Sequence, residues 1–401
     1  MTVDEFAPTL ASLNRPFRLI VTGGGTGGHT YPALTAIRTL EARLGALGTG
    51  LEALWVGTEQ GLEARVAPAE KIRFMTVPTG KIRRSSNPLA MINRENIRDM
   101  GRVVKGVPEA RKIVSRFEAD VVLSTGGYVS VPVGLAAKAT NTPLVVHEQT
   151  VRLGLANRAL ARFATTIAVS SESTLPLLKD GGAKAVVTGN PVRPAVLTGQ
   201  PDKAVAALAL PGYTPALPTV YITGGAQGSA QINAMIRDIL PWLLSAANVV
   251  HQCGATSLET SRQHADTLPP GLRARYWLSD FVGPELPDVL ALADIVIARS
   301  GAGTIAELTA LGKPSILIPL ATSAGNEQEH NALYLQQAGA ATALTKDHAT
   351  APELQHALEP ILTRPEQRQN MARSAAGLGR PDAAHRLVDV LLKAGLRTTR
   401  P

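Results

Sequence analysis

The sequence predicts an α/β protein of two doubly wound, Rossmann-like domains facing a cleft. Three observations predict it. Short β-rich apolar runs alternate with longer helical patterns almost throughout, the pattern of parallel strands joined by crossover helices. That rhythm restarts half-way, and each half opens on a strand running straight into a glycine-rich turn, at Gly23 and at Gly224. The 401 residues also suffice for two domains or more at about 150 residues each.

The first half reads as the strand FRLIVTGGG with a helix from Pro32 to Leu44, then LEALWVG, then DVVLST with a helix from Val133 to Lys138, then TPLVVHE, TTIAVS and KAVVTG. The second half reads as TVYITGGAQG with a helix from Ala230 to Leu243, then NVVHQCG, ADIVIARSG with a helix after it, and KPSILIPL. Proline and glycine break both patterns at NPVRPAVLTGQPDK, which sets the domains at 1–192 and 193–375. The tail over 376–401 is helical with mixed charge; it can pack on either domain and is placed here on the first.

Composition narrows the function classes. A single cysteine, Cys253, cannot close an internal disulfide, which excludes a disulfide-built scaffold and a cysteine-rich zinc site. The opening MTVDEFAPTLASLNRP has two early acids and lacks the basic-then-apolar order of a signal peptide, so a cytosolic chain is expected. No apolar run is long enough to span a bilayer: the longest, near Val289 to Ala298 and Ser315 to Ala321, are short, and Asp294 breaks the first. Lys and Arg total 40 against 32 Asp and Glu, a formal +8 that calls for an anionic partner.

The turn Thr22 to Thr30, TGGGTGGHT, fits G-x-G-x-x-G at Gly23, Gly25 and Gly28. Glycines there permit positive φ and let backbone N–H groups meet a phosphate at a helix N-terminus. Three readings stay open. A P-loop spacing is present but lacks its lysine; a dinucleotide site has Glu41, Glu52 or Glu59 as ribose acid; or the turn binds nothing. The turn TGGAQGS holds the matching place in the second half, and a third helix start runs Arg299-Ser300-Gly301-Ala302-Gly303-Thr304 with Glu307 one turn on. Gly301 and Gly303 bare amides for a pyrophosphate, and Glu307 suits ribose hydroxyls. The chain has neither a D-x-D nor an H-x-x-x-H arrangement, so no metal and no cofactor are expected and backbone amides must neutralise any leaving phosphate.

In combination these loops resemble the GT-B glycosyltransferases and, within them, the MurG family. GGGTGGHTYPAL, TGKIRR, STGGYVSVP, VVHEQT with GLANRALARFA, TGNPVR, ITGGAQGSAQIN, HQCG, RSGAGTIAE and NEQEHNA carry the likeness, over roughly Phe17 to Ala341. The resemblance implies transfer of N-acetylglucosamine from UDP-GlcNAc to lipid I at the cytoplasmic membrane face, giving lipid II for peptidoglycan. The alternatives are a different glycolipid or a soluble acceptor, a UDP-GlcNAc epimerase of the same fold, or a non-catalytic nucleotide-binding module.

Residue roles follow from the same resemblance. Gly25, Thr26 and Tyr128 meet the acceptor, with His147, Glu148 and Asn157 lining its side. Thr26, Gly27, Gly28, Thr150, Asn157, Arg193, Ala226, Gln227, Gly228, Gly303 and Thr304 hold the donor. Glu307 takes the ribose, the Val282 backbone reads uracil, and Gln328 binds sugar hydroxyls. The chain departs from the family pattern at Thr150, Ala226, Val131, Glu327 and Gly283-Pro284. One hydrogen bond to a charged group is worth about 1.5–3 kcal/mol, enough to retune substrate choice without abolishing chemistry.

An inverting displacement needs a base, and a neutral imidazole suits that at neutral pH. His29 is the first choice, and His147 paired with Glu148 the second. The basic excess has an address as well. Lys81 to Arg116 holds ten Lys or Arg against three acids, a net +7, with apolar residues interleaved and no aromatic ring for bases to stack on. Lys81, Arg83, Arg84, Leu89, Met91 and Ile92 are therefore expected to dock on anionic lipid headgroups, and no nucleic acid is expected.

Overall fold

The structure is a computed structural model that describes residues 5–80, 94–178 and 182–396. The chain forms two compact units, one of residues 1–191 with 382–401, the other of residues 192–381. The first seam falls one residue before the sequence boundary at 192/193; the second falls at 381/382, where the sequence reading placed 375/376.

In the first unit the strands are β1 (Phe17–Gly23), β2 (Leu51–Gly57), β3 (Arg73–Thr76), β4 (Val121–Gly126), β5 (Leu144–Glu148), β6 (Thr166–Val169) and β7 (Ala185–Val187). They form one parallel sheet in the order β3-β2-β1-β4-β5-β6-β7. Both faces of β1 are covered, which is why FRLIV is continuously apolar. Phe17, Leu19 and Val21 pack with Ala36, Ile37 and Leu40 of the helix Gly27–Ala46. Ile20, on the other face, joins Ala110 and Val114 of the helix Arg94–Phe117 and Val133 of the helix Ser130–Ala139. The C-terminal helix Ala383–Leu396 returns to the first face, where Leu387, Val388 and Leu391 are fully buried.

The second unit repeats the plan with β8 (Thr219–Thr223), β9 (Asn248–Gln252), β10 (Tyr276–Ser279), β11 (Ile295–Ala298), β12 (Ser315–Leu317) and β13 (Ala341–Ala343). The parallel order is β10-β9-β8-β11-β12-β13. Val220 and Ile222 face the helices Ala230–Ala246 and Ala351–Thr363, and Tyr221 faces the side carrying the helix Ala302–Ala310. In each sheet the strand order reverses at the first strand, between β1 and β4 and between β8 and β11. Ligands of doubly wound sheets bind beyond the carboxyl ends of strands at such a reversal.

The tail differs from a single helix. Pro365–Leu378 is one helix in the second unit, Gly379 to Pro381 break it, and only Ala383–Leu396 packs in the first.

Candidate functional site

In the first unit the site is built at the reversal between β1 and β4. Gly23 leaves β1 at φ +141°, where a Cβ would stand 2.1 Å from the Thr125 hydroxyl oxygen. Its carbonyl accepts from the indole N–H of buried Trp55 at 3.1 Å. The turn closes on a carboxylate: Glu63 is fully buried, its Oε2 accepts from Gly25 N–H at 2.7 Å, and its Oε1 accepts from the Thr58 amide at 3.0 Å and hydroxyl at 2.9 Å. Thr26, extended, is the N-cap of the helix Gly27–Ala46 and makes no side-chain cap, so Gly27 and Gly28 head the helix uncapped by it. The loop after β4 lies against this turn, since a Cβ on Gly127 (φ +84°) would stand 2.9 Å from the Gly24 carbonyl.

His29 sits half-buried in the first turn of that helix, with Nδ1 3.0 Å from Gln149 Oε1. Gln149 Nε2 in turn donates at 3.0 Å to both His147 Nδ1 and His147 O, and His147 Nε2 lies 3.0 Å from the Gly189 carbonyl. Burial lowers the His147 pKa to about 4, so this ring is neutral. Glu148 is equally committed. Its oxygens accept from Thr150 N–H (3.1 Å) and Oγ1–H (2.8 Å), Gly154 N–H (2.9 Å) and Asn157 Nδ2–H (3.0 Å).

In the second unit the turn Gly224–Ser229 follows β8, and Ser229 caps the helix Ala230–Ala246 by accepting from Ile232 N–H at 3.3 Å. Gly228 (φ +74°) abuts the next loop, where a Cβ would meet the Cys253 carbonyl at 2.0 Å. Arg299, at the end of β11, binds this turn to its neighbour: Nη2 donates to Ser229 Oγ at 2.7 Å and Nη1 to the carbonyls of Ile318 (2.9 Å) and Pro319 (3.0 Å). The helix Ala302–Ala310 starts from extended Gly301 with no side chain to cap it. One turn in, Glu307 Oε1 accepts from Arg193 Nη2 at 2.9 Å, and Gln328 Oε1 accepts from Leu320 N–H at 3.0 Å.

Two turns at two strand reversals, each ending at a helix N-terminus, set the frame for comparison with known proteins. The glycosyltransferase family 28 N-terminal domain matches residues 19–169, and its C-terminal domain matches 219–387. A relative from Desulforamulus reducens, named a UDP-N-acetylglucosamine–N-acetylmuramyl-(pentapeptide) pyrophosphoryl-undecaprenol N-acetylglucosamine transferase, is 34% identical over 94% of this chain and 98% of its own. One of the same name from Listeria welshimeri is 35% identical over 94% and 99%. The crystal structure of Acinetobacter baumannii MurG superposes with a TM-score of 0.73 at 25% identity, covering 94% of this chain and all of that one. The chain belongs to the MurG family. It is thus a glycosyltransferase of two parallel-sheet α/β domains, the GT-B fold.

Within this MurG-family chain the first unit brings Gly25, Thr26, Gly27, Gly28, His29, Tyr128, His147, Glu148, Thr150 and Asn157 to the ends of β1, β4 and β5. The second brings Arg193, Ala226, Gln227, Gly228, Val282, Gly303, Thr304, Glu307 and Gln328 to the strand-end side of its sheet. Several expected roles change. His147 is fully buried with both ring nitrogens bonded, and the Glu148 carboxylate is filled, so the pair shapes the loop and offers no free base. The Val282 N–H donates to Gln252 Oε1 at 2.9 Å. Glu41 and Glu52, two of the acids named for a ribose, pair instead with Arg38 and Arg18. Lys81, Arg83, Arg84, Leu89, Met91 and Ile92 lie outside the described residues.

Three residues escape a reading by motif. Glu63 and Gln149 bond partners 38 and 120 positions away, and the motif containing Arg299 marks only the start of a helix. The one local signal is in H-E-Q: along extended backbone, His147 and Gln149 share a face while Glu148 takes the other.

Proposed function

We propose that this chain transfers N-acetylglucosamine from UDP-GlcNAc to lipid I with inversion, working as a peripheral protein at the cytoplasmic face of the membrane and without a metal. The observation that carries the reading is likeness over 94% of the chain to relatives named for that transfer.

In the proposed reaction the acceptor hydroxyl attacks the anomeric carbon as the bond to UDP breaks. His29 accepts the hydroxyl proton, the one histidine of the pair with a ring nitrogen left unbonded among the described residues. The second unit holds the donor. Amides of the turn Gly224–Ser229 and of the helix start at Ala302 receive the diphosphate, whose charge rises as it leaves. Glu307 takes the ribose through the oxygen that Arg193 leaves open. The amide donors of Gln328 meet sugar hydroxyls, since its oxygen is already spent on Leu320.

Membrane contact rests on the segment Lys81 to Arg116, with its net +7. Among the described residues no helix is long and apolar enough to cross a membrane. Val104, in the helix Arg94–Phe117, is 67% exposed.

The test is UDP release from UDP-GlcNAc with and without lipid I. Release that requires lipid I supports the reading, and release without it counts against it. Co-sedimentation with vesicles of anionic against neutral lipid tests the docking, and equal binding to both would refute it.

A further inference from the structure

We propose that Gln149 is a positioning residue that sets the tautomer of His29, holding the proton on Nδ1 and the lone pair on Nε2. The catalytic consequence rests on the reading of His29 as the base; the tautomer itself does not.

The argument starts at a group that can only accept. The Gly189 carbonyl, 3.0 Å from His147 Nε2, requires a proton on that nitrogen. Neutral His147 then has a lone pair on Nδ1, which faces Gln149 Nε2 at 3.0 Å. The same amide nitrogen is 3.0 Å from the His147 carbonyl, a second acceptor, so both of its protons are used and the amide cannot turn over without setting oxygen against oxygen. Gln149 Oε1 is thereby aimed at His29 Nδ1, 3.0 Å away, and an amide oxygen only accepts. His29 must donate from Nδ1, and its neutral ring carries the free pair on Nε2.

Two further features keep this chain one-directional. Gln149 is 2% exposed and His147 fully buried, so water does not compete for the bonds. His147 also stays neutral throughout the working range, its pKa pushed down by burial to about 4. Packing limits the His29 ring as well: a Cβ on Gly126 would stand 3.1 Å from His29 Cε1 and 3.2 Å from Nδ1, close enough to press on the ring. A histidine tautomer is set by the bond its other nitrogen makes. Remove that bond and the proton is free to move to Nε2, which blocks the base.

The experiment uses the full-length protein with ring-15N histidine and long-range 1H–15N correlation at pH 8. His29→Ala identifies the His29 signals. The expected result is an Nδ1-protonated His29 in the wild type and an Nε2-protonated form gaining ground in Gln149→Met. Turnover in that variant should fall at least about tenfold, the scale of a mispositioned base, with KM for UDP-GlcNAc changed less than about twofold. If the methionine variant does not fold, the wild-type spectrum alone still decides, since an Nδ1-protonated His29 supports the assignment and an Nε2-protonated one overturns it. An Nε2-protonated His29 in the wild type overturns the assignment, as does Gln149→Met at the wild-type tautomer and rate. A His29→Ala enzyme at full turnover overturns the base reading instead, and the spectra keep the two failures apart.

Discussion

Glu63 lies with no exposed surface beneath the turn after β1, and its oxygens accept from Gly25 N–H and from the amide and hydroxyl of Thr58. Gly24 and Gly61 leave its carboxylate room, since a Cβ on either would stand 2.1 Å from it. Glu63→Ala removes the acceptor for two backbone amides at once. At about 1–3 kcal/mol for each buried group left unsatisfied, a loss of roughly 3 kcal/mol is expected, read as a lower urea midpoint. Glu63→Gln keeps the volume and one acceptor and should lose about half as much; a glutamine variant as stable as the wild type would show that volume, not hydrogen bonding, decides. The sequence made His29 legible because five glycines and a histidine in one turn are hard to explain without a ligand. It hid Glu63 and Gln149 because one partner of each, the Gly25 amide and the His29 ring, lies far along the chain and is brought close only by the fold.

At the scale of elements, the long strands could be read residue by residue, as with β2, where LEALWVG is the strand from end to end. β3, β10 and β13 are not, because all three lie at sheet edges, are partly exposed and lack a continuous apolar run. The helix after β1 is expected from Pro32, yet it begins at Gly27 with Pro32 inside. The early start brings His29 into the first turn. A paired substitution tests the turn of the second unit. Gly225 (φ +85°) has open space where a Cβ would go, whereas at Gly228 (φ +74°) the Cβ meets the Cys253 carbonyl at 2.0 Å. Both alanine variants bear the left-handed strain of about 1–2 kcal/mol. Only Gly228→Ala must also move the loop, so calorimetry should find UDP binding weakened at least about tenfold there, and within threefold of wild type for Gly225→Ala. Equal weakening of both would remove the loop contact as the cause.

Across the molecule, the two-unit plan was legible because the strand-turn-helix rhythm restarts, but the return of Ala383–Leu396 to the first sheet was not fixed by its own pattern. Its apolar stripe of Leu387, Val388 and Leu391 would suit any sheet face; the partner it buries against, around Phe17 and Ile37, lies at the other end of the chain. Each unit also holds one buried neutral histidine. His147 in the first is lowered to about 4, and His251 in the second to about 3, both by burial. The His251 ring is fixed between Tyr276 Oη at 2.7 Å and Asn233 Oδ1 at 3.0 Å. An unfolded histidine titrates near 6.5, so below that pH the unfolded chain binds a proton that the folded unit refuses. Stability contributed by these rings is therefore complete above about pH 6.5 and falls as the pH drops toward each folded value, at about 1.4 kcal/mol per pH unit for each ring. Urea unfolding at pH 7.5, 6.0 and 5.0 should show the decline, at pH values above the usual carboxylate range. His251→Phe should flatten the decline for the second unit while leaving that of the first. A free energy of unfolding unchanged from pH 7.5 to 5.0 would mean that both rings accept protons in the folded state, and with that the neutral His147 on which the orientation of Gln149 depends would be lost.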